Sequence, residues 1–91
     1  SSVKKRPAIV IATLKGNNVI LAQITTNQRN DVDLISLTKK DFASGSLSSD
    51  SFIMVSLIFT TDSSKLEYKV GKIKSEKIKE IENKLCEIFR R

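Results

Sequence analysis

The stretch from Ser51 to Phe59, SFIMVSLIF, is the first thing any fold of this chain must accommodate. Its apolar run is interrupted only by Ser56, it is rich in β-branched and aromatic residues, and it is too short for a buried helix. Such a run reads as an interior strand covered on both faces, ended by Thr60-Thr61-Asp62-Ser63-Ser64. An interior strand needs neighbours, and the sequence offers them. Ala8 to Thr13 carries Ile9, Val10 and Ile11 in the same style. Lys15-Gly16-Asn17-Asn18 has the chemistry of a hairpin turn, since Gly and Asn tolerate positive φ. Val19 to Thr26 follows as a second strand, and Val32 to Leu37 alternates as a third after the polar loop 27–31.

Between Thr38 and Asp50 the segment TKKDFASGSLSSD reads as an excursion anchored by Phe42 and Leu47. Leu66 to Ile73 alternates weakly and suits a short last strand containing Gly71. The C-terminus is helical: Ser75 can cap the first amides, Glu76 lies in the first turn, and Arg90 and Arg91 suit the C-terminal dipole end. Ile78, Ile81, Leu85, Ile88 and Phe89 fall on one stripe at helical spacing, with Cys86 beside it as a small core residue. Lys77, Lys79 and Lys84 then form a solvent face, with Glu80 and Lys84 at a supportive i, i+4 spacing. Strands first and one helix last give a mainly β domain, a small antiparallel barrel or half-barrel with a terminal helix packed on it. The sequence shows no internal repeat and no linker.

The chain has 91 residues, enough for one small domain and one modest core. Its 16 Lys and Arg against 10 Asp and Glu give a formal charge of +6, which favours a polyanionic partner, nucleic acid first and an anionic membrane second. One cysteine and no histidine remove the usual zinc sites, Cys-His nucleophiles and Ser-His triads, and with them an internal disulfide. A single thiol fits a reducing cytoplasm. No apolar run approaches the roughly 20 residues of a membrane-spanning helix, and Ile9 to Ile11 is too short for a signal peptide.

The basic step KKRPAIVIA, Lys4 to Ala12, is either a solvated end or part of a site. If Gly16-Asn17 is a two-residue turn, paired positions sum to about 33 by strand geometry, so that Ala8 faces Thr25. Arg6 and Thr25 then share one face as diagonal neighbours, roughly 7 to 8 Å apart. An even shift of register keeps that relation, and an odd one breaks it. An arginine fork beside a hydroxyl, with Lys4, Lys5 and Arg29 nearby, can hold a phosphodiester.

At these residues the sequence resembles a known family. KKRPAIVIA, VILAQITT, DFASGSL, DSF, FTTD and VGKI, in that order before an amphipathic helix, are similar to the PemK/MazF toxins of type II toxin-antitoxin systems. The resemblance covers nearly the whole chain and rests on the order and spacing of motifs that are individually weak. It implies an SH3-like antiparallel barrel with a C-terminal helix, paired as a homodimer. It also implies a sequence-specific, metal-independent endoribonuclease, an mRNA interferase that needs no cofactor and is neutralised by a cognate antitoxin. By position Arg6 matches the catalytic arginine and Thr25 the catalytic threonine, while Lys4, Lys5, Thr26, Arg29, Lys39 and Lys40 are candidates for lining the RNA path. Pro7 fixes the backbone after Arg6.

Two departures stand out. Where the PemK-type branch carries an arginine and an acidic residue, this chain has Met54 and Ser56, which favours the Arg-Thr arrangement of the MazF branch; Met54 is expected to pack. Family members also begin with a strand that has no counterpart before KKRP, since the chain opens at Ser1-Ser2. That leads to the expectation of a fragment, a fold incomplete at its N-terminal edge, with an exposed sheet edge or an enlarged dimer. Other readings are a gyrase-directed toxin of related fold acting through the helix, and a non-catalytic SH3-like nucleic-acid-binding module. Only Tyr68 among the few aromatics is expected at the surface, which argues against a stacking platform for single strands.

Overall fold

The computed structural model describes residues 5–91. Six strands and one helix follow in order: β1 Ala8–Thr13, β2 Asn18–Thr25, β3 Leu34–Leu37, β4 Phe42–Gly45, β5 Ser51–Asp62, β6 Gly71–Ile73 and α1 Ser75–Phe89. Short 3₁₀ turns cover Lys39–Asp41 and Ser63–Lys65. The larger sheet has the order β1-β2-β5-β3, antiparallel throughout, and β4 pairs with β6 in a second, two-stranded sheet. Together with α1 they make the mainly β, SH3-like half-barrel that the sequence implied. Among the described residues β1 is an edge strand, paired on one side only. The segment before Lys5, including Lys4, lies outside the described residues.

The core sits between the large sheet and the helix. Ile9, Ala22, Ile24, Ile35, Leu37, Ile53, Val55 and Ile81 form one buried cluster, with Ile11, Phe42, Leu47, Ile73, Ile78, Leu85 and Ile88 packed around it. The strand-period residues of β1, β2, β3 and β5 and the helix-period residues of α1 thus meet, as amphipathic elements must. Phe42 and Leu47 are the anchors expected of them. The segment between them is not a plain excursion, however. β4 forms there because Gly45 and Gly71 face each other across the β4–β6 pair, allowing an approach that a side chain would block.

Several expectations need correction. β5 continues through Thr60 and Thr61 to Asp62, because Asn18, Val19 and Ile20 of β2 extend the ladder to meet them. Its second half is not interior: Leu57, Ile58 and Phe59 are exposed. The last strand shrinks to Gly71–Ile73. Lys74 holds the N-cap position of α1, and the Ser75 hydroxyl bonds Glu76 Oε1 instead of capping amides. Phe89 is 71% exposed and Cys86 is exposed as well, because the helix turns both outward at its end. Lys84 pairs with Asp33 and Glu87, and Glu80 pairs with Lys77, so the expected Glu80–Lys84 pair is replaced by i, i+3 partners on the helix and by Asp33, just before β3.

β2 and β3 both run antiparallel to β5 and lie on opposite sides of it. The chain between Thr25 and Leu34 must therefore cross β5. It does so on the face away from the core: Ile53 and Val55 belong to the core, Met54 alternates with them, and Arg29 Nη1 lies 3.7 Å from Met54 Sδ. The crossing explains why Met54 is buried although it stands outside the core cluster.

Gly45 has φ +67° and a Cβ there would collide with Val70 O and Gly71 Cα, whereas Gly16, φ +69°, faces open space. Gly16→Ala should cost about 1 kcal/mol, the left-handed penalty alone, and Gly45→Ala about 3 kcal/mol, since overpacking adds to that penalty. Urea unfolding of both variants checks this, with a larger midpoint shift for Gly45→Ala at unchanged m value.

Candidate functional site

The pairing of β1 with β2 differs from the simple two-residue turn. Leu14 N donates to Asn18 O at 2.8 Å, so the loop holds Lys15, Gly16 and Asn17, and Thr13 faces Val19. A three-residue loop alone shifts the register by one and sends Thr25 to the face opposite Arg6. A bulge between Val10 and Ala12 then shifts it by one more, giving Val10↔Leu21 and Ala8↔Gln23. The two odd shifts cancel in side-chain parity. Ile24 N donates to Pro7 O at 3.1 Å, which carries the pairing one step beyond β1 and places Arg6 across from Thr25. Pro7, outside β1 itself, contributes through its carbonyl and has no N–H to lose.

Arg6 and Thr25 line one hollow of about 160 Å³ at the end of the sheet, together with Pro7, Ile24, Thr26, Asn27 and Ser51. The Thr25 hydroxyl oxygen accepts a hydrogen bond from Asn27 N at 3.1 Å. That fixes its oxygen and leaves its hydrogen free to donate. Arg6 is exposed and takes part in no ion pair among the described residues. An unpaired guanidinium and a donating hydroxyl on one hollow can share the oxygens of a bound phosphate.

Among the other described candidate residues, one lines this hollow, Thr26. Lys5 pairs with Glu67 at 3.2 Å, both side chains largely exposed. Arg29, on the crossing loop, is held by Asp31 in a two-bond fork, Nε to Oδ1 at 3.0 Å and Nη2 to Oδ2 at 2.7 Å. The hydrogen bond and charge of Arg29 hold the Asp31 carboxyl below the usual carboxylate range, and Asp31 raises the Arg29 guanidinium in turn. Lys39 and Lys40 are exposed on the 3₁₀ turn after β3. Lys40 lines a second hollow with Ser36, Asp41, Lys74, Glu76, Lys77 and Glu80.

Sequence reasoning placed Lys77 on the solvent face of α1, but its side chain is buried. Its Nζ donates to Ser36 O at 3.0 Å and Glu80 Oε1 at 2.8 Å, and stands 3.6 Å from Asp41 Oδ1. The reason is tertiary: β3 and the turn after it present a carbonyl and a carboxylate to that point of the helix, where an amine is needed. Asp41 in turn accepts from Thr38 N at 2.8 Å. Burial works against its ionisation, but the Thr38 amide and the Lys77 charge outweigh that and leave its carboxyl below the normal value of 3.8. No signal within α1 alone could have revealed this. Among the described residues no cluster of His, Cys, Asp or Glu could hold a metal ion.

The fold and the site define a class, a small SH3-like half-barrel with a hollow lined by one arginine at one end of its sheet. A family profile for the PemK-like, MazF-like toxin of type II toxin-antitoxin systems matches residues 1–89, and the chain belongs to that family. Among curated proteins none gives a significant match. Family membership implies an antitoxin as partner.

A carboxyl whose folded pKa is depressed stabilises the fold above its unfolded pKa, and that contribution is lost as pH falls through the folded value. Asp31, Asp33, Asp41 and Asp62 are all depressed. Stability should therefore be flat above about pH 5 and decline below the unfolded aspartate value of about 3.9. Lys77→Met, which leaves half-buried Asp41 without the buried cation beside it, should cost about 2 to 3 kcal/mol at pH 7 and less in strong acid; urea unfolding across pH measures both.

Proposed function

We propose that the chain is a metal-independent endoribonuclease, a toxin that cleaves single-stranded mRNA at short sequences in the cytoplasm. The observation that carries this reading is the convergence of Arg6 and Thr25 on one hollow from the two strands of the hairpin. In the proposed step the ribose 2′-oxygen attacks the adjacent phosphorus and the bond to the 5′-oxygen breaks. A 2′,3′-cyclic phosphate and a 5′-hydroxyl result, the proton of the 2′-hydroxyl being balanced by one delivered to the leaving oxygen. A guanidinium gives up its proton poorly, so the role assigned to Arg6 is to stabilise charge on the pentavalent phosphate. Thr25 donates a hydrogen bond to the same oxygens, its own oxygen being steadied by Asn27 N. Lys4, Lys5, Thr26, Arg29, Lys39 and Lys40 are assigned to the RNA path, and an acidic antitoxin segment competes for the same basic surface.

The test is a labelled single-stranded RNA incubated in EDTA with the chain, with Arg6→Ala and with Thr25→Ala. Cyclic-phosphate ends are expected from the parent, with rates falling about 10² to 10³-fold when either phosphate donor is removed. Binding without cutting in every case would leave a non-catalytic nucleic-acid-binding module. Toxicity that survives Arg6→Ala would support a gyrase-directed toxin acting through α1.

The same reading includes a homodimer. Leu57, Ile58 and Phe59 of β5 and Phe89 of α1 are exposed apolar residues. Asp33 brings these two elements together: its carbonyl accepts from Val55 N at 3.0 Å, and its carboxylate holds Arg91 Nη2 at 2.8 Å. The end of α1 thus lies beside β5 where its exposed half begins, a surface suited to a second copy. Sedimentation equilibrium should show a dimer for the parent chain and a monomer for Phe89→Asp with unchanged secondary structure; a dimer that survives both Phe89→Asp and Leu57→Asp removes this surface from consideration.

A further inference from the structure

Two arginines serve the face of the sheet that carries Thr25, and they are in opposite states. Arg6 has no acidic partner among the described residues. Arg29 is occupied: Asp31 takes two of its donors in the geometry in which a guanidinium also takes a phosphate, and the third nitrogen rests on Met54. Position matters as much as pairing. Thr25 is the cross-strand partner of Phe52, and Met54, two residues further along β5, is on the same face. Met54 is therefore a diagonal neighbour of Thr25, about 7 to 8 Å away along the sheet. The guanidinium above Met54 overlooks the approach to the hollow without lining it.

From this arrangement we infer that Asp31 is an internal competitor for phosphate, holding Arg29 back from the RNA backbone until a phosphate neighbouring the one at Arg6 and Thr25 displaces it. The inference rests on the nuclease reading and deepens it. Arg29 and Asp31 are two residues apart on one loop, so the carboxylate remains tethered beside the guanidinium whether or not RNA is bound. Both side chains are substantially exposed, 42% and 67%, so the exchange requires no opening of the fold. An exposed ion pair is weak. A phosphate already anchored at Arg6 can displace the carboxylate, whereas a passing polyanion gains less from the same contact. Asp31 thereby raises the threshold for non-specific binding more than that for a correctly seated strand.

The test uses a single-stranded RNA methylated at every 2′-oxygen, which binds but cannot cyclise, with affinity read by fluorescence anisotropy across a salt series. The chains are the parent, Asp31→Asn, Arg29→Gln and the double variant, with cleavage of unmodified RNA by the parent and Arg6→Ala measured beside them. Asp31→Asn should tighten binding about three- to fivefold, the worth of an exposed pair, and steepen the dependence of log K on log salt by about 0.7. The double variant should bind like Arg29→Gln, because the gain acts through Arg29. An equal gain in the Arg29→Gln background would show a general charge effect and overturn the inference, as would no gain at all. If RNA is cut in an Arg6-dependent manner while Asp31→Asn changes nothing, the competitor falls and the nuclease stands. If no chain binds RNA, both fall.

Discussion

Side-chain parity along the β1–β2 hairpin is the constraint on which the site depends. Successive residues of a strand face opposite ways, so a slip of one residue moves a side chain through the sheet. The loop Lys15-Gly16-Asn17 introduces one such slip, and the bulge between Val10 and Ala12 introduces another. Had only one occurred, Arg6 and Thr25 would point to opposite faces. The bulge has a packing reason as well. Ile9 and Ile11 both reach the core, and the bulge falls at Ile11, between Val10 and Ala12. Core packing and site geometry are thus satisfied by one local irregularity.

Legibility in the sequence followed how local the determining interaction is. The apolar runs of β1, β2, β3 and β5 and the helical stripe through Ile81 declare themselves, because period and β-branching are properties of neighbours in sequence. The shared face of Arg6 and Thr25 was legible for the same reason: parity survives an error of two in register, although the predicted register was itself wrong. The β4–β6 pair was not, since it depends on the meeting of Gly45 with Gly71, distant in sequence and silent in composition. Lys77 and Phe89 failed in opposite directions. A helix pattern assigns lysine outward and phenylalanine inward, yet what lies against each position is decided by the sheet.

Electrostatics then sorts the basic excess into structural and available charge. Asp41 engages Lys77, Asp33 engages Arg91 and Lys84, Asp31 engages Arg29, and Glu67 engages Lys5. The cations tied down include Lys77 and Lys84 on α1 and Arg91 just beyond its end, which help hold the helix to the sheet. Arg6 and the pair Lys39 and Lys40 are outside these pairs among the described residues, and they stand at the end of β1's lead-in and after β3. The net charge of +6 is therefore less informative than which cations remain outside ion pairs, and Arg6 is the one of these that lines the hollow at the end of the sheet.

The crossing of β5 connects this sorting to the topology. Placing β2 and β3 on either side of an antiparallel β5 obliges the connection to pass over the sheet, and a filled core leaves it only the outer face. A loop forced across a sheet needs something to rest on and a polar exterior, which Met54 below and the Arg29–Asp31 pair above supply. The loop begins at Thr25. The strand order that builds the barrel therefore also delivers, within a few residues of the candidate threonine, a second guanidinium and the carboxylate that restrains it.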